Sequence, residues 1–113
     1  MKKKVNIAIA GLGQIGAYLF KEINKKKNDI ELKTGKKIQV VAISAKNPNK
    51  KRIFKINKSI FYKDPIQMIN KEKIDILFEA IGKPDGISKK IVETALKNKI
   101  HVITPNKALI AKH

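Results

Sequence analysis

The six residues Gly11-Leu12-Gly13-Gln14-Ile15-Gly16 constrain this chain more than any other stretch. They match G-x-G-x-x-G in the context that gives the pattern meaning. Residues 5–10 (VNIAIA) form a β-branched run just before it, and a helical pattern opens just after it. The run is short and ends at a glycine, so it reads as a buried strand. Gly11 permits a tight strand-to-helix turn, and Gly13 lets the main chain approach a pyrophosphate with no Cβ in the way. Gly16 allows the helix to pack closely on the strand. A pyrophosphate in this turn meets unpaired helix N–H groups and the positive end of the helix dipole, with Leu12, Gln14 and Ile15 completing the cradle. A tight turn without a ligand is the rival reading of the glycines alone.

The rest of the chain alternates strand and helix. In residues 14–27, Ile15, Tyr18, Leu19 and Ile23 recur at helical spacing, and Lys25, Lys26 and Lys27 suit the negative end of the dipole. Residues 28–37 read as a polar connection around Thr34-Gly35, and residues 38–44 (IQVVAIS) as a second strand. Residues 45–58 are lysine-rich with one proline, a surface loop, and residues 59–62 are a short third strand. Asp64 is an N-cap candidate, with Pro65 at the first helical position and Gln67 closing a capping-box-like pair. That helix carries Ile66 and Ile69 inward. Residues 74–81 (IDILFEAI) predict a strand, and residues 87–97 a helix with Ile87, Ile91 and Ala95 on one face. Residues 100–104 (IHVIT) predict a last strand. Such alternation implies parallel βαβ units whose sheet buries both faces. The expected fold is α/β, a Rossmann-like doubly wound, mostly parallel sheet. It forms one domain over residues 1–113 and is truncated after the fifth strand.

Composition narrows the chemistry. The absence of cysteine excludes a disulfide scaffold, a thiolate zinc site and a cysteine nucleophile, and two histidines leave no histidine metal cluster. No metal site is expected. The basic start Met1-Lys2-Lys3-Lys4 followed by an apolar stretch imitates a signal peptide. Asn6, Gln14 and three glycines interrupt that stretch, and no small-x-small cleavage site follows. No run approaches the ~20 apolar residues of a membrane helix. A soluble, cytoplasmic protein without a membrane partner is expected.

The net charge of +17 invites a nucleic-acid reading. Three features weaken it. Arg52 is the single arginine, aromatics are 5% with no stacking platform, and Lys, Ile and Asn fill 54 of 113 positions, as A/T-rich codons would. No specific nucleic-acid partner is expected, although a positive field attracts a phosphorylated cofactor. Dinucleotide folds usually carry Asp or Glu at the end of the second strand, where it binds the ribose 2′-hydroxyl of NAD. Here that end is Ser44-Ala45-Lys46-Asn47, and no acidic residue lies between Glu31 and Asp64. Lys46, Lys50, Lys51 and Arg52 crowd the region instead, which favours a 2′-phosphate. The expectation is NADP(H) preferred, with NAD(H) possible and Lys46 as the leading phosphate contact. The rival is a solvated basic loop.

From residue 78 onward the text reads FEAIGKPDG, a helix, then NKIHVITPNKALIAKH. Together with GLGQIG and IQVVAISAK, this closely resembles the N-terminal cofactor domain of homoserine dehydrogenase over essentially all 113 residues. The most specific piece is Glu79 to Gly82 followed by His101 to Leu109. The resemblance implies a pyrophosphate at Gly11 to Gly16, the adenosine ribose beside Ala45 and Lys46, and a cofactor cleft lined by Ile81 and Gly82. It also implies Thr104, Asn106 and Lys107 near the nicotinamide. In the family, the lysine matching Lys107 assists substrate binding and proton transfer, so Lys107 is the catalytic candidate. The rival is one more solvated lysine. Lys83 stands where the family usually has a second glycine, and Pro105 where it usually has alanine.

The implied reaction interconverts aspartate 4-semialdehyde and homoserine, a step of threonine and methionine biosynthesis. The family's substrate domain, with a second catalytic lysine, most substrate contacts and the homodimer interface, lies outside these residues. The chain by itself is therefore expected to bind cofactor weakly and not to turn over. Alternatives are another semialdehyde or amino-acid dehydrogenase of this fold, or a non-enzymatic nucleotide- or nucleic-acid-binding module.

Overall fold

The apolar runs become five strands of one sheet. The computed structural model describes residues 3–46, 58–81 and 86–104. Strand β1 (Lys3–Ala10) leads into α1 (Gln14–Thr34) and β2 (Lys36–Ser44). A single 3-10 turn (Lys58–Ile60) precedes β3 (Phe61–Tyr62), followed by α2 (Pro65–Lys71), β4 (Ile76–Glu79), α3 (Ile87–Lys97) and β5 (His101–Ile103). The strand order is β3-β2-β1-β4-β5 and every pairing is parallel. The doubly wound α/β expectation holds, with all rather than most strands parallel.

Both faces of the sheet are covered, as alternation along the strands requires. Ile9, Ile43 and Leu12 pack with Leu19, Phe20 and Ile23 of α1 and with Phe78. On the other face Ala8, Ala10, Ala42 and Leu77 pack with Met68 and Ile69 of α2 and with Ile91 and Ala95 of α3. Burying Ile9 or Ile43 completely stabilises the fold by about 1.5–3 kcal/mol each. These two isoleucines belong to the cluster that seats α1.

Several local expectations change. Ser59 and Ile60 belong to the 3-10 turn, so the third strand is Phe61–Tyr62 alone. The polar connection over residues 28–37 is largely helix, since α1 runs on to Thr34. Lysine and glutamate are good helix formers, and Glu22–Lys26 and Asp29–Lys33 make i,i+4 ion pairs at 3.2 Å. The helix stops at Gly35, whose φ of 74° lets its N–H return to the Glu31 carbonyl at 2.9 Å. Asp64 caps α2 by accepting from the Ile66 N–H at 2.9 Å, but among the described residues Gln67 makes no reciprocal bond. On α3 the inward face is Ser88, Ile91 and Ala95, while Ile87 is 40% exposed. Position 87 in the first turn of α3 thus meets solvent although its spacing suits the core.

Candidate functional site

Because the five strands are parallel, their carboxyl ends share one edge. Ala10 stands beside Ser44 and Glu79, Ser44 beside Tyr62, and Phe78 beside Ile103. That register gathers the glycine turn after β1, Ala45 and Lys46 after β2, Ala80 and Ile81 after β4, and Thr104 after β5. The chain leaves β1 toward β2 and β3, then crosses back to β4. The crevice between β1 and β4 is thus a topological switch point, where open α/β sheets bind ligands.

The three glycines meet three different surroundings. Gly11 has φ +100°, its N–H donates to the Ser44 carbonyl at 2.9 Å, and a Cβ there would lie 2.9 Å from the Ala80 carbonyl oxygen. A Cβ at Gly16 would lie 1.8 Å from the Gly11 carbonyl oxygen, so α1 rests directly on the turn and tolerates no side chain. A Cβ at Gly13 would meet nothing within 4 Å among the described residues. Gly13 is the N-cap of α1 and offers no side-chain cap, and the first turn contains no acidic residue. The donors and the positive dipole end at this terminus are thus left for an anion. Leu12 is buried beside Ile9 and Ile43 and pins the turn to the core. Gln14 is exposed and Ile15 half-buried.

On the flank of the cradle Ala45 is half-buried, its N–H donating to the Tyr62 carbonyl at 3.1 Å, and Lys46 is exposed. Ile81 packs at the head of the crevice, its Cγ1 3.0 Å from the position a Gly11 Cβ would take. Thr104 is half-buried at the end of β5. Arg52, Gly82, Asn106 and Lys107 lie outside the described residues, as do Lys83 and Pro105. Among the described residues, no three His, Cys, Asp or Glu side chains gather as metal ligands do. A cavity of about 410 Å³ lined by Lys27, Asn28, Glu31, Lys37, Ile38 and Gln39 sits at the opposite end of β2 from this edge.

One residue at this edge was not singled out for a role by its sequence. Glu79 closes β4 and is fully buried. Its Oε1 accepts from the Ile81 N–H at 2.8 Å and from the Ser88 hydroxyl at 3.2 Å. Its Oε2 is buried with no hydrogen-bond partner among the described residues. An unmet buried acceptor costs about 1–3 kcal/mol, more when charged. The available signal was an acid ending the otherwise apolar strand ILFE. Farther along the edge, the Tyr62 hydroxyl donates to the Glu72 carboxylate. That hydrogen bond, with burial and the carboxylate's charge, raises the Tyr62 pKa above its ordinary value.

Comparison with known proteins agrees with this geometry. Residues 11–113 match the family described as homoserine dehydrogenase, NAD binding domain. The chain is 30% identical over 111 residues to a homoserine dehydrogenase of Neisseria gonorrhoeae, covering 98% of this chain and 25% of that relative. With a homoserine dehydrogenase of Pseudomonas aeruginosa it shares 32% over 111 residues, again 98% and 25%. Among solved structures, S. aureus homoserine dehydrogenase at pH 8.5 superposes with a TM-score of 0.85 at 34% identity, over 95% of this chain and 27% of that one. The Thiobacillus denitrificans homoserine dehydrogenase gives 0.78 at 26% identity, over 97% and 25%. The chain spans about a quarter of the length of the curated relatives it matches.

Proposed function

Since the chain belongs to the homoserine dehydrogenase family, matching its NAD-binding domain, we propose that residues 1–113 are the cofactor-holding domain of an enzyme that reduces aspartate 4-semialdehyde to homoserine. The glycine turn carries this reading. Gly11 and Gly16 are packed too tightly for any side chain, whereas Gly13 faces open space at a helix N-terminus without a cap. Packing explains the first two glycines. The third is explained by a ligand that needs the main chain bare.

The nicotinamide group, when bound, supplies the hydride. The chain's residues do the holding and the proton work. The turn from Gly11 to Gly16 holds the pyrophosphate through the main-chain amides that open α1, the Gly11 N–H being taken by the Ser44 carbonyl. Ala45 and Lys46 flank the adenosine ribose, and Lys46 with Arg52 would favour a 2′-phosphate. By family resemblance, Ile81 and Gly82 would line the cofactor cleft, and Thr104, Asn106 and Lys107 would lie near the nicotinamide. Lys107 donates a hydrogen bond and a proton at the substrate oxygen as it becomes an alkoxide, where an ammonium is most effective. A substrate domain outside these residues completes the site and the homodimer. This chain by itself binds cofactor without turning over.

The proposed cofactor is NADP(H), because the end of β2 offers Lys46 and no acid for a free ribose 2′-hydroxyl. Replacing Lys46 and Arg52 together by Asp tests it through the dissociation constants of NADPH and NADH. The expected change is a loss of about tenfold or more in the preference for NADPH, worth ~1.4 kcal/mol. An unchanged ratio overturns the preference, and absence of binding of both cofactors by the unaltered chain overturns the cofactor-domain reading.

A further inference from the structure

Glu79 poses a physical question that the cradle alone does not answer. It is fully buried, one of its oxygens has no donor among the described residues, and a leucine of similar size would avoid that cost. A leucine lacks the grip of Oε1, which holds the Ile81 N–H at 2.8 Å and the Ser88 hydroxyl at 3.2 Å. Those two groups lie on either side of residues 82–85. Ile81 belongs to the stem leaving β4, and Ser88 to the first turn of α3, whose N-cap Gly86 supplies no side-chain cap.

The contacts continue into the cradle. Ala80 O and Ile81 Cγ1 lie 2.9 and 3.0 Å from where a Gly11 Cβ would stand, so the Ile81 stem bears on the first glycine of the turn. Ala80 is tied to β1 by its N–H to the Ala10 carbonyl at 2.8 Å. Ser88, Glu79, Ile81 and Gly11 therefore form one line of contact from α3 to the phosphate cradle. Any rotation of the Ile81 peptide changes the floor on which Gly11 rests.

We propose that Glu79 is a positioning residue for the cofactor: its carboxylate clamps the stem after β4 to α3 and so sets the glycine turn in its binding geometry. This rests on the cofactor-domain reading for its ligand, but not for its mechanics.

The test uses the 113-residue chain with Glu79→Gln, Glu79→Leu and Ser88→Ala. Amide hydrogen exchange at Ile81 and Gly11 is measured alongside melting temperature and NADPH affinity. In Glu79→Leu, exchange at both amides is expected to rise about tenfold and affinity to fall about tenfold, with the melting temperature kept or raised. Glu79→Gln keeps an accepting oxygen and is expected to restore affinity to within about threefold. Unchanged exchange and affinity in Glu79→Leu overturn the proposal. So does a Glu79→Gln chain as weak as Glu79→Leu, which would mean that the charge matters and the clamp does not.

If Glu79→Leu fails to fold, Ser88→Ala decides. It removes one arm of the clamp, and about threefold weaker affinity with faster Ile81 exchange supports the proposal. No change in either overturns it. If the unaltered chain binds neither NADPH nor NADH, the cofactor-domain reading fails separately. Exchange at Gly11 then judges the clamp: faster in the variants supports it, unchanged overturns it.

Discussion

A methyl group meets opposite surroundings at positions 13 and 16, and that contrast separates folding from binding at the level of single residues. Gly16→Ala drives a Cβ to 1.8 Å from the Gly11 carbonyl oxygen, a clash with main chain that no rotamer relieves. A loss of about 3 kcal/mol or more in unfolding free energy is expected by denaturant titration. Gly13→Ala meets no atom of the described residues within 4 Å, and the φ of −71° at this position suits alanine. Its stability should change by less than about 1 kcal/mol, the difference between glycine and alanine as N-cap. Its NADPH affinity should fall by about tenfold or more if, as proposed, the diphosphate approaches the main chain there. All three glycines were legible in the sequence, since the turn is a matter of neighbours within six residues. Glu79 was not legible as a clamp. Its partner Ser88 is nine residues on, and the burial of its carboxylate is created by α3 folding back over β4.

The elements end where local chemistry says they should, and two ends invite repair or damage. Gly35 terminates α1 at φ 74°, and Lys99 follows α3 at φ 59° although it carries a side chain. Replacing Gly35 by Ala should cost about 1–2 kcal/mol, the penalty of a left-handed L-residue. Replacing Lys99 by Gly should add roughly 0.5–1 kcal/mol, read as a higher melting temperature. A third prediction concerns the tie between β3 and the end of α2. Tyr62 donates to Glu72, so the folded chain favours the neutral phenol and its pKa is raised. The stabilisation is complete below the ordinary tyrosine value of about 10, and is lost as pH rises through the higher folded value. Tyr62→Phe should therefore cost about 1 kcal/mol at neutral pH. It should also lose less stability than the unaltered chain when both are unfolded above about pH 10. Helix type and strand type were readable from periodicity. The length of α1 was not, because residues 28–34 look polar in isolation and become helix by extension of a turn already seated on Ile9 and Ile43.

At the scale of the molecule, part of the positive charge stands far from the cradle. Lys3 pairs with Lys36 and Lys4 with Lys37 across β1 and β2, at the end of the sheet away from the glycine turn. Like charges facing each other weaken a sheet slightly and attract polyanions without selecting a sequence. Duplex DNA should bind weakly and be released as salt rises from about 50 to 200 mM. NADPH should lose much less affinity over the same range, because its hold depends on oriented amides as well as on the field. Equal salt sensitivity for the two ligands would refute a built phosphate site. Among the described residues no helix is long and apolar enough to cross a membrane. The sequence alone determined the strand, the bare turn and the helix that follows, because those depend on Cβ sterics and hydrogen bonds between near neighbours. Only the tertiary structure decided how closely Ile81 bears on Gly11 and that Glu79 is buried against Ser88 of α3. Contacts between residues some seventy positions apart are set by packing of the whole sheet, and no local pattern encodes them.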